Sequence, residues 1–290
     1  MELTGSIVAI ATPFRDGRID AEAFARLIEF QIEGGTAAIV PCGTTGESAT
    51  LSLTEHEELI RLTIKLVRGR VPVIAGTGSN CTADALRLTA AAKQDGADAA
   101  LLITPYYNKP TQQGLYEHYR AVAEAVDLPL IVYNCPGRTG VSLAPETVIR
   151  LAAIENIVAV KDATGSLDWT TEVCGGCALT VLSGDDSLAL PQIAVGAKGV
   201  ISVLANIAPR AVADLMAKAL AGDYEGGRAI HRRYFKLSKL LFTEANPIPV
   251  KAALELMGLY GPEIRLPLTP LSEPNRDKLR AEMQALGLLG

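Results

Sequence analysis

The sequence of 290 residues has no apolar run of the roughly 18 residues that a membrane-spanning helix needs. It also has no polybasic tract, and its net charge of −5 offers nothing that would attract nucleic acid or an anionic membrane surface. The three histidines, His56, His118 and His231, are far apart, and no pair has the spacing of metal ligands. The stretch around Thr77 lacks the full G-x-G-x-x-G pattern of a dinucleotide site. We therefore expect no membrane span, nucleic-acid partner, metal or organic cofactor.

Cysteine usage and the N-terminus indicate the compartment. The five cysteines are an odd number at irregular spacing, which disfavours a disulfide framework and favours reduced thiols in the cytoplasm. Cys174 and Cys177 form a C-x-x-C motif, but without a second pair or a neighbouring histidine, zinc or redox chemistry is the weaker interpretation. The N-terminus has no basic region and its apolar run stops at Pro13, so we expect a first strand rather than a signal peptide.

One pattern occurs eight times along the chain. A short run rich in Val, Ile and Ala is followed by a longer segment, in several cases with clear helical periodicity. The runs begin at Ser6, Ala37, Val71, Ala99, Pro129, Ile157, Leu179 and Gly199. Continuous apolar runs are typical of strands that are buried on both faces. Eight strand–helix units in about 200 residues predict an α/β fold, a closed (β/α)₈ TIM barrel, with an open doubly wound sheet as the weaker alternative.

The helical segments carry their own start and stop signals. Thr54 and Glu57 have the spacing of a capping box, which predicts that a helix begins there. Gly34 and Gly96 lie where the C-caps of two other helices are expected.

The strand pattern ends well before the chain does. From about Pro209 the sequence is helical, with interruptions expected at Pro247, at Pro249 and in a proline-rich segment further on. We expect a catalytic barrel over residues 1–222 and a C-terminal helical extension, packed on the barrel, over residues 223–290.

Lys161 is the most informative candidate for chemistry. An α/β barrel has its active site at the C-terminal ends of the strands, and Lys161 directly follows the apolar run Ile157–Val160. Burial there should disfavour the ammonium form and lower the pKa of the side chain. A neutral amine can attack a ketone to form an imine, which then helps the neighbouring carbon to lose a proton. The alternative is a lysine in a salt bridge with Asp162 or Asp185.

Further candidates follow three other apolar runs. The loop Gly43–Gly46 can form a nest of backbone N–H groups for a carboxylate, or it is simply a glycine-rich turn. Tyr133 can donate and accept a proton beside Lys161, or it is a rim aromatic. Arg138, in a loop over the mouth, can bind a carboxylate in bidentate fashion, or it is a surface arginine. The aspartates after the seventh run would repel phosphate, which disfavours sugar-phosphate substrates.

Several motifs together resemble the dihydrodipicolinate synthase family. They are GTTGESATL from Gly43, TPYYNKPTQQGLYEHY from Thr104, YNCPGRTG from Tyr133, VAVKDATG from Val158, LSGDDSLALP from Leu182 and EANPIPVK from Glu244. The resemblance extends from the first strand to beyond residue 250. The wider superfamily, named for N-acetylneuraminate lyase, shares GTTGE, YN-x-P and the lysine. Arg138 and the paired tyrosines Tyr106 and Tyr107 favour the synthase.

The resemblance implies a Schiff-base lyase that condenses pyruvate with L-aspartate 4-semialdehyde to 4-hydroxy-tetrahydrodipicolinate, the entry step to diaminopimelate and lysine. It implies that Lys161 forms the imine and that Tyr133 is the acid/base, in a proton relay with Thr44 and Tyr107. It also implies no metal or organic cofactor. The alternatives are another pyruvate-dependent aldolase or lyase of the superfamily, and a non-catalytic barrel that binds a keto acid.

The same resemblance implies how the substrates are held and how the chains assemble. Thr45 and the backbone at Ile201 would hold the pyruvate carboxylate, and Arg138 would bind the carboxylate of aspartate semialdehyde. The family is usually a homotetramer of tight dimers, in which Tyr107 enters the site of the partner subunit.

Lysine-inhibited members of the family bind lysine at the tight-dimer interface. The matching positions are Ser48, Ala49, Leu53, His56, Asn80, Asp84 and Tyr106. Leu53 replaces a histidine of the sensitive bacterial enzymes, and Asp84 replaces a glutamate that is one methylene longer. Because a charge-assisted hydrogen bond weakens when it is stretched, we expect weak lysine binding with little inhibition. The alternative is that these residues only pack the interface.

Overall fold

A closed sheet of parallel strands forms the centre of the molecule. The structure, a computed structural model, describes residues 3–289, so the outermost residues of the two predicted parts lie outside it. Within this range eight strands share one sheet in the order β4-β1-β10-β9-β8-β7-β6-β5. They are β1 Gly5–Ala9, β4 Ala38–Val40, β5 Ile74–Gly76, β6 Ala99–Ile103, β7 Leu130–Asn134, β8 Ile157–Asp162, β9 Thr180–Ser183 and β10 Gly199–Ser202. A parallel bridge between Ile39 and Val73 joins the two ends of this order. The (β/α)₈ barrel is therefore confirmed, and the open sheet is wrong.

Both faces of the barrel strands are apolar, which explains their continuous hydrophobic runs. Ile7 and Leu101 belong to the cluster inside the barrel. Their neighbours Val8 and Leu102 belong to the cluster outside it, between the strands and the helices. A small antiparallel hairpin, β2 Phe14–Arg15 with β3 Arg18–Ile19, follows β1.

Helices alternate with the strands and then continue alone. In chain order they are α1 Ala21–Glu33, α2 Leu53–Val67, α3 Thr82–Asp95, α4 Gln112–Ala125, α5 Pro136–Thr139, α6 Pro145–Leu151, α7 Leu167–Gly176, α8 Ala189–Ala194, α9 Pro209–Leu220, α10 Tyr224–Leu240, α11 Ile248–Leu256 and α12 Glu273–Ala285. Short 3₁₀ turns span Ser48–Thr50 and Leu204–Asn206. In residues 3–289 no helix has the length and apolar character that crossing a membrane requires.

The cap predictions were right at the C-termini and wrong at one N-terminus. Gly34 and Gly96 are the C-caps of α1 and α3. The capping box of α2 is formed by Ser52 and Glu55, not by Thr54 and Glu57. The two motifs overlap in sequence, and the extended backbone of Ser52 makes it the first residue whose hydroxyl can accept from a helical N–H, that of Glu55 at 3.2 Å. Thr54 already lies inside the helix.

The C-terminal extension packs on the barrel as helices. Helix α10 packs against α9 and α12, and α11 packs against α12 and the 3₁₀ turn Leu204–Asn206. Pro249 does not interrupt a helix, contrary to the prediction, because it lies in the first turn of α11, where no backbone N–H is needed.

Candidate active site

A cavity of about 260 Å³ lies at the C-terminal ends of the barrel strands. Five of the predicted residues line it: Thr44, Thr45, Tyr133, Arg138 and Lys161. They come from the segments that follow β4, β7 and β8 and from the ends of those strands, and they lie far apart in sequence. The barrel thus brings together the residues proposed for imine formation and for carboxylate binding.

Lys161 ends β8 with only 6% of its surface exposed. Burial lowers the pKa of its ammonium group to about 8, while Cys135 and Asp186 act in the opposite direction. At pH 7 roughly one tenth of the side chain is then the neutral amine, against far less for an ordinary lysine. The structure therefore supports the expected desolvation of this group.

The salt-bridge alternative for Lys161 is wrong in the described part of the chain, whose ion pairs do not include it. The Asp162 carboxylate accepts from the Thr170 hydroxyl at 2.6 Å, and that of Asp185 accepts from Ser187. Both aspartates are therefore occupied by local hydrogen bonds.

Tyr133 lies beside Lys161 because the two residues are partners in the parallel register of β7 and β8. The Lys161 Nζ atom is 4.1 Å from the centroid of the Tyr133 ring. Burial, and then Cys135 next to it, raises the pKa of the phenol well above its ordinary value. The phenol is therefore protonated at neutral pH, and its ring lies against the Lys161 side chain.

The loop Gly43–Gly46 folds as a compact turn beside the cavity. The Gly46 N–H donates to the Gly43 carbonyl, and the Glu47 N–H donates to the Thr44 carbonyl, both at 3.1 Å. Within residues 3–289 the N–H groups of Thr44 and Thr45 donate to no backbone acceptor. An anion-binding nest requires N–H groups that are free of backbone partners in this way. Only glycine fits at position 76 behind this loop, since a Cβ there would lie 2.2 Å from the Cys42 carbonyl oxygen.

The sequence suggested that Arg138 lies in a loop, but it lies in the short helix α5. Proline at the first position and Gly140 at the C-cap suit so short a helix. The guanidinium Nη2 donates to the Asn246 carbonyl at 3.1 Å, and Asn246 Nδ2 donates to the Thr45 hydroxyl at 2.9 Å. Sequence reasoning missed Asn246 as a site residue. Its one signal was its place inside the motif EANPIPVK.

Two predicted residues do not line the cavity. Tyr107, in the loop after β6, is 90% exposed and has a left-handed φ of 73°. The Ile201 side chain is buried inside the barrel, where its backbone pairs with Ile7 of β1. From the segment after β10 it is Val203 that reaches the cavity. A buried carboxylate, Asp186, orders this segment by accepting from Val203 N–H at 2.9 Å.

A second cavity, of about 440 Å³, adjoins the first. Six of the seven predicted effector positions line it: Ser48, Ala49, Leu53, His56, Asp84 and Tyr106. Asn80 does not, and its carbonyl instead accepts from Asn108 Nδ2 at 2.9 Å. Burial lowers the pKa of His56, so this histidine is neutral at physiological pH.

No group of three or more potential metal ligands occurs in the part of the chain that the structure describes. Cys174 and Cys177 are both free thiols at the end of α7, and both are partly buried against the core.

The fold and the cavity together define a class of protein: an α/β barrel with a desolvated lysine and a protonated tyrosine at its catalytic face, an arrangement suited to imine chemistry. The model of the dihydrodipicolinate synthetase family matches residues 2–286, and the chain belongs to this family. The resemblance seen in the motifs is thereby confirmed.

Relatives match over nearly the whole chain. The 4-hydroxy-tetrahydrodipicolinate synthase of Geobacter sulfurreducens is 58% identical over 98% of this chain and 99% of its own length. Dihydrodipicolinate synthase from Aquifex aeolicus has a similar crystal structure, with a TM-score of 0.98, 51% identity and 99% coverage of both chains. The chloride-inhibited dihydrodipicolinate synthase from Acinetobacter baumannii, complexed with pyruvate, also has a TM-score of 0.98 and 51% identity, covering 99% of this chain and 100% of that one.

Proposed function

We propose that this chain catalyses the condensation of pyruvate with L-aspartate 4-semialdehyde to 4-hydroxy-tetrahydrodipicolinate, the entry step to diaminopimelate and lysine. The proposal rests on one observation above all: a desolvated Lys161 faces the Tyr133 phenol in a cavity of a barrel whose relatives carry this activity in their names. The pyruvate complex of the relative from Acinetobacter baumannii supports pyruvate as the first substrate.

In the proposed mechanism the neutral amine of Lys161 attacks the keto carbon of pyruvate. The nitrogen gives up its two protons, which Tyr133 helps to carry to the keto oxygen; the oxygen leaves as water and an imine remains. The methyl carbon next to the imine then loses a proton, and the resulting enamine attacks the aldehyde carbon, whose oxygen takes up a proton. The amino group of the semialdehyde next attacks the imine carbon and displaces the Lys161 amine, which closes the ring and frees the enzyme. Thr44, and Tyr107 of a neighbouring subunit, complete the relay that returns the proton.

The carboxylates of the two substrates are held by different residues of this cavity. We propose that the Thr44 and Thr45 N–H groups, the Thr45 hydroxyl and the backbone at Ile201 bind the pyruvate carboxylate. Arg138, at the edge of the cavity, binds the carboxylate of the aldehyde. This role of Arg138 separates the proposal from the other pyruvate-dependent aldolases of the superfamily. The desolvated lysine argues against a barrel that only binds a keto acid.

The test is an assay with pyruvate and aspartate semialdehyde, coupled to the reductase that consumes the product. Arg138→Ala should lower kcat/KM for the aldehyde by about 10- to 100-fold, because a hydrogen bond to a charged group is lost. Formation of the imine with pyruvate should change far less. Arg150→Ala, which removes an exposed arginine stacked on Tyr116, is the matched control. Equal damage to both half-reactions would mean that Arg138 belongs to the pyruvate site or is structural.

We propose further that the chains form a homotetramer of tight dimers in the cytoplasm. The almost complete exposure of Tyr107 in a single chain supports the assembly, because a side chain that reaches the site of a neighbouring subunit must project from the surface of its own chain. The presence of all five cysteines as free thiols supports the location.

A second proposal concerns regulation by lysine. The cavity lined by His56, Asp84 and Tyr106 offers a carboxylate for the ammonium group of lysine and adjoins the active site through Arg138 and Asn246. Leu53, which is half exposed, adds an apolar wall where a polar partner would bind. We propose that lysine binds here weakly and inhibits only in part.

A further inference from the structure

The C-terminal extension holds the carboxylate-binding loop through a buried ion pair, and we propose that Glu47 and Lys251 are positioning residues for the pyruvate site. The inference rests on the proposed function of this cavity. Neither residue lines the cavity around Lys161, so each acts through the loop Gly43–Gly46.

The pair itself is almost completely buried, although Glu47 also borders the second cavity. The Glu47 side chain is 1% exposed, and that of Lys251, from α11, is 4% exposed. One carboxylate oxygen of Glu47 accepts from Lys251 Nζ, and the other accepts from the Arg265 N–H at 3.0 Å. Lys251 Nζ also lies 4.6 Å from the centroid of the Phe14 ring. Both oxygens of Glu47 are therefore bound by residues of the extension.

The backbone of Glu47 transmits this placement to the threonines. Its φ of 56° is left-handed, a conformation that a residue other than glycine keeps only where its surroundings enforce it. In that conformation its N–H donates to the Thr44 carbonyl at 3.1 Å, and its carbonyl accepts from Thr50 N–H at 3.0 Å. The Thr44 carbonyl, which accepts from the Glu47 N–H, belongs to the same peptide group as the Thr45 N–H. The ion pair thus sets the direction in which this N–H points.

The C-terminal extension makes a second contact with this loop, at Thr45. Asn246, five residues before Lys251, donates to the Thr45 hydroxyl and accepts from Arg138. The segment Asn246–Lys251 therefore fixes both the backbone and the side chain of the pyruvate loop. It also orients the arginine proposed for the second substrate.

Stability alone does not explain a pair of this kind. The cost of removing two charges from water offsets most of their attraction, and apolar replacements of buried pairs are often as stable. A charged pair does, however, favour one geometry, because a buried charge that loses contact with its partner is strongly unfavourable. We therefore separate the two roles by experiment.

The experiment measures KM for pyruvate, kcat, thermal unfolding and borohydride trapping of pyruvate at Lys161. The variants are Glu47→Gln, Lys251→Met and the double variant. Each single variant should raise KM for pyruvate at least 10-fold, while trapping at saturating pyruvate still labels Lys161. The double variant, which leaves no uncompensated buried charge, should regain most of the lost melting temperature but keep the raised KM.

Arg276→Met is the matched control, because it breaks an ion pair of the same extension, Arg276–Glu255, that lies away from the loop. It should leave KM for pyruvate unchanged. A KM within twofold of the parent in the folded single variants would overturn the inference. So would a double variant in which KM recovers together with the melting temperature. If the unaltered protein traps no pyruvate, the proposed function fails as well, and the two failures are thereby distinguished.

Discussion

At the scale of single residues, burial and its effect on the pKa depend on where a strand ends. Lys161 was predictable because a lysine after four apolar residues must lie at the buried end of a barrel strand, and burial lowers its pKa. The place of Tyr133 was predictable in the same way, because it ends the apolar run of β7. What the sequence did not show is their mutual geometry, since the register of β7 and β8 depends on the irregularity between Leu130 and Ile131.

The residues that sequence reasoning missed are those that act across the fold. Asn246 contacts Thr45, and Lys251 contacts Glu47, although about 200 residues separate the partners in each pair. Local patterns carry no information about such contacts, which arise only when the extension docks on the barrel.

A tyrosine variant tests the proposed proton transfer. Tyr133→Phe should lower kcat by about 10²-fold, because general acid–base catalysis typically contributes this much. Tyr116→Phe, at a partly buried tyrosine of α4 that does not line the cavity, serves as the control. Wild-type turnover in Tyr133→Phe would remove this residue as the proton carrier.

At the scale of elements, strands were easier to predict than their boundaries. All eight apolar runs became barrel strands, because burial on both faces leaves a continuous signal. The start of α2 was shifted by two residues, since two capping motifs overlap and only the conformation of the entering chain decides between them. The short helix α5 gave no periodic signal at all, because four residues make barely one turn.

The second cavity, which lies between the segment Gly43–Ser48 and helices α2 and α3, gives a prediction about lysine binding. Titration of the initial rate with lysine should show partial or little inhibition at physiological concentrations, with weak binding by calorimetry. Leu53→His, which supplies a polar partner, and Asp84→Glu, which extends the carboxylate by one methylene, should tighten the binding of lysine. Tight and nearly complete inhibition of the unaltered protein would contradict the weakening argument. The absence of any binding would mean that these residues have only a packing role.

At the scale of the whole molecule, the cavity of one chain is lined by Thr44 and Tyr133 but not by Tyr107, the third residue of the proposed relay. Tyr107 points into solvent, away from the cavity of its own barrel. No sequence pattern shows which surface of one chain meets the next, so this residue came from the family resemblance alone.

Subunit mixing tests this sharing. Tyr107→Phe and Lys161→Ala should each have low activity alone. Hybrid dimers of the two variants should regain part of the activity, because one site in each hybrid then has both an intact lysine and an intact partner tyrosine. Exchange of subunits without any regain would show that the site is not shared.

The imine at Lys161 is the central claim, and reductive trapping with pyruvate tests it most directly. Peptide mapping by mass spectrometry should find the reduced pyruvyl group on Lys161. The rate of trapping should rise with pH and reach half its maximum near pH 8, because the ammonium form, which does not attack, disappears as the pH passes the pKa of about 8. Label on another lysine, no label, or a rate that rises only near the ordinary lysine pKa of about 10.4 would contradict the account.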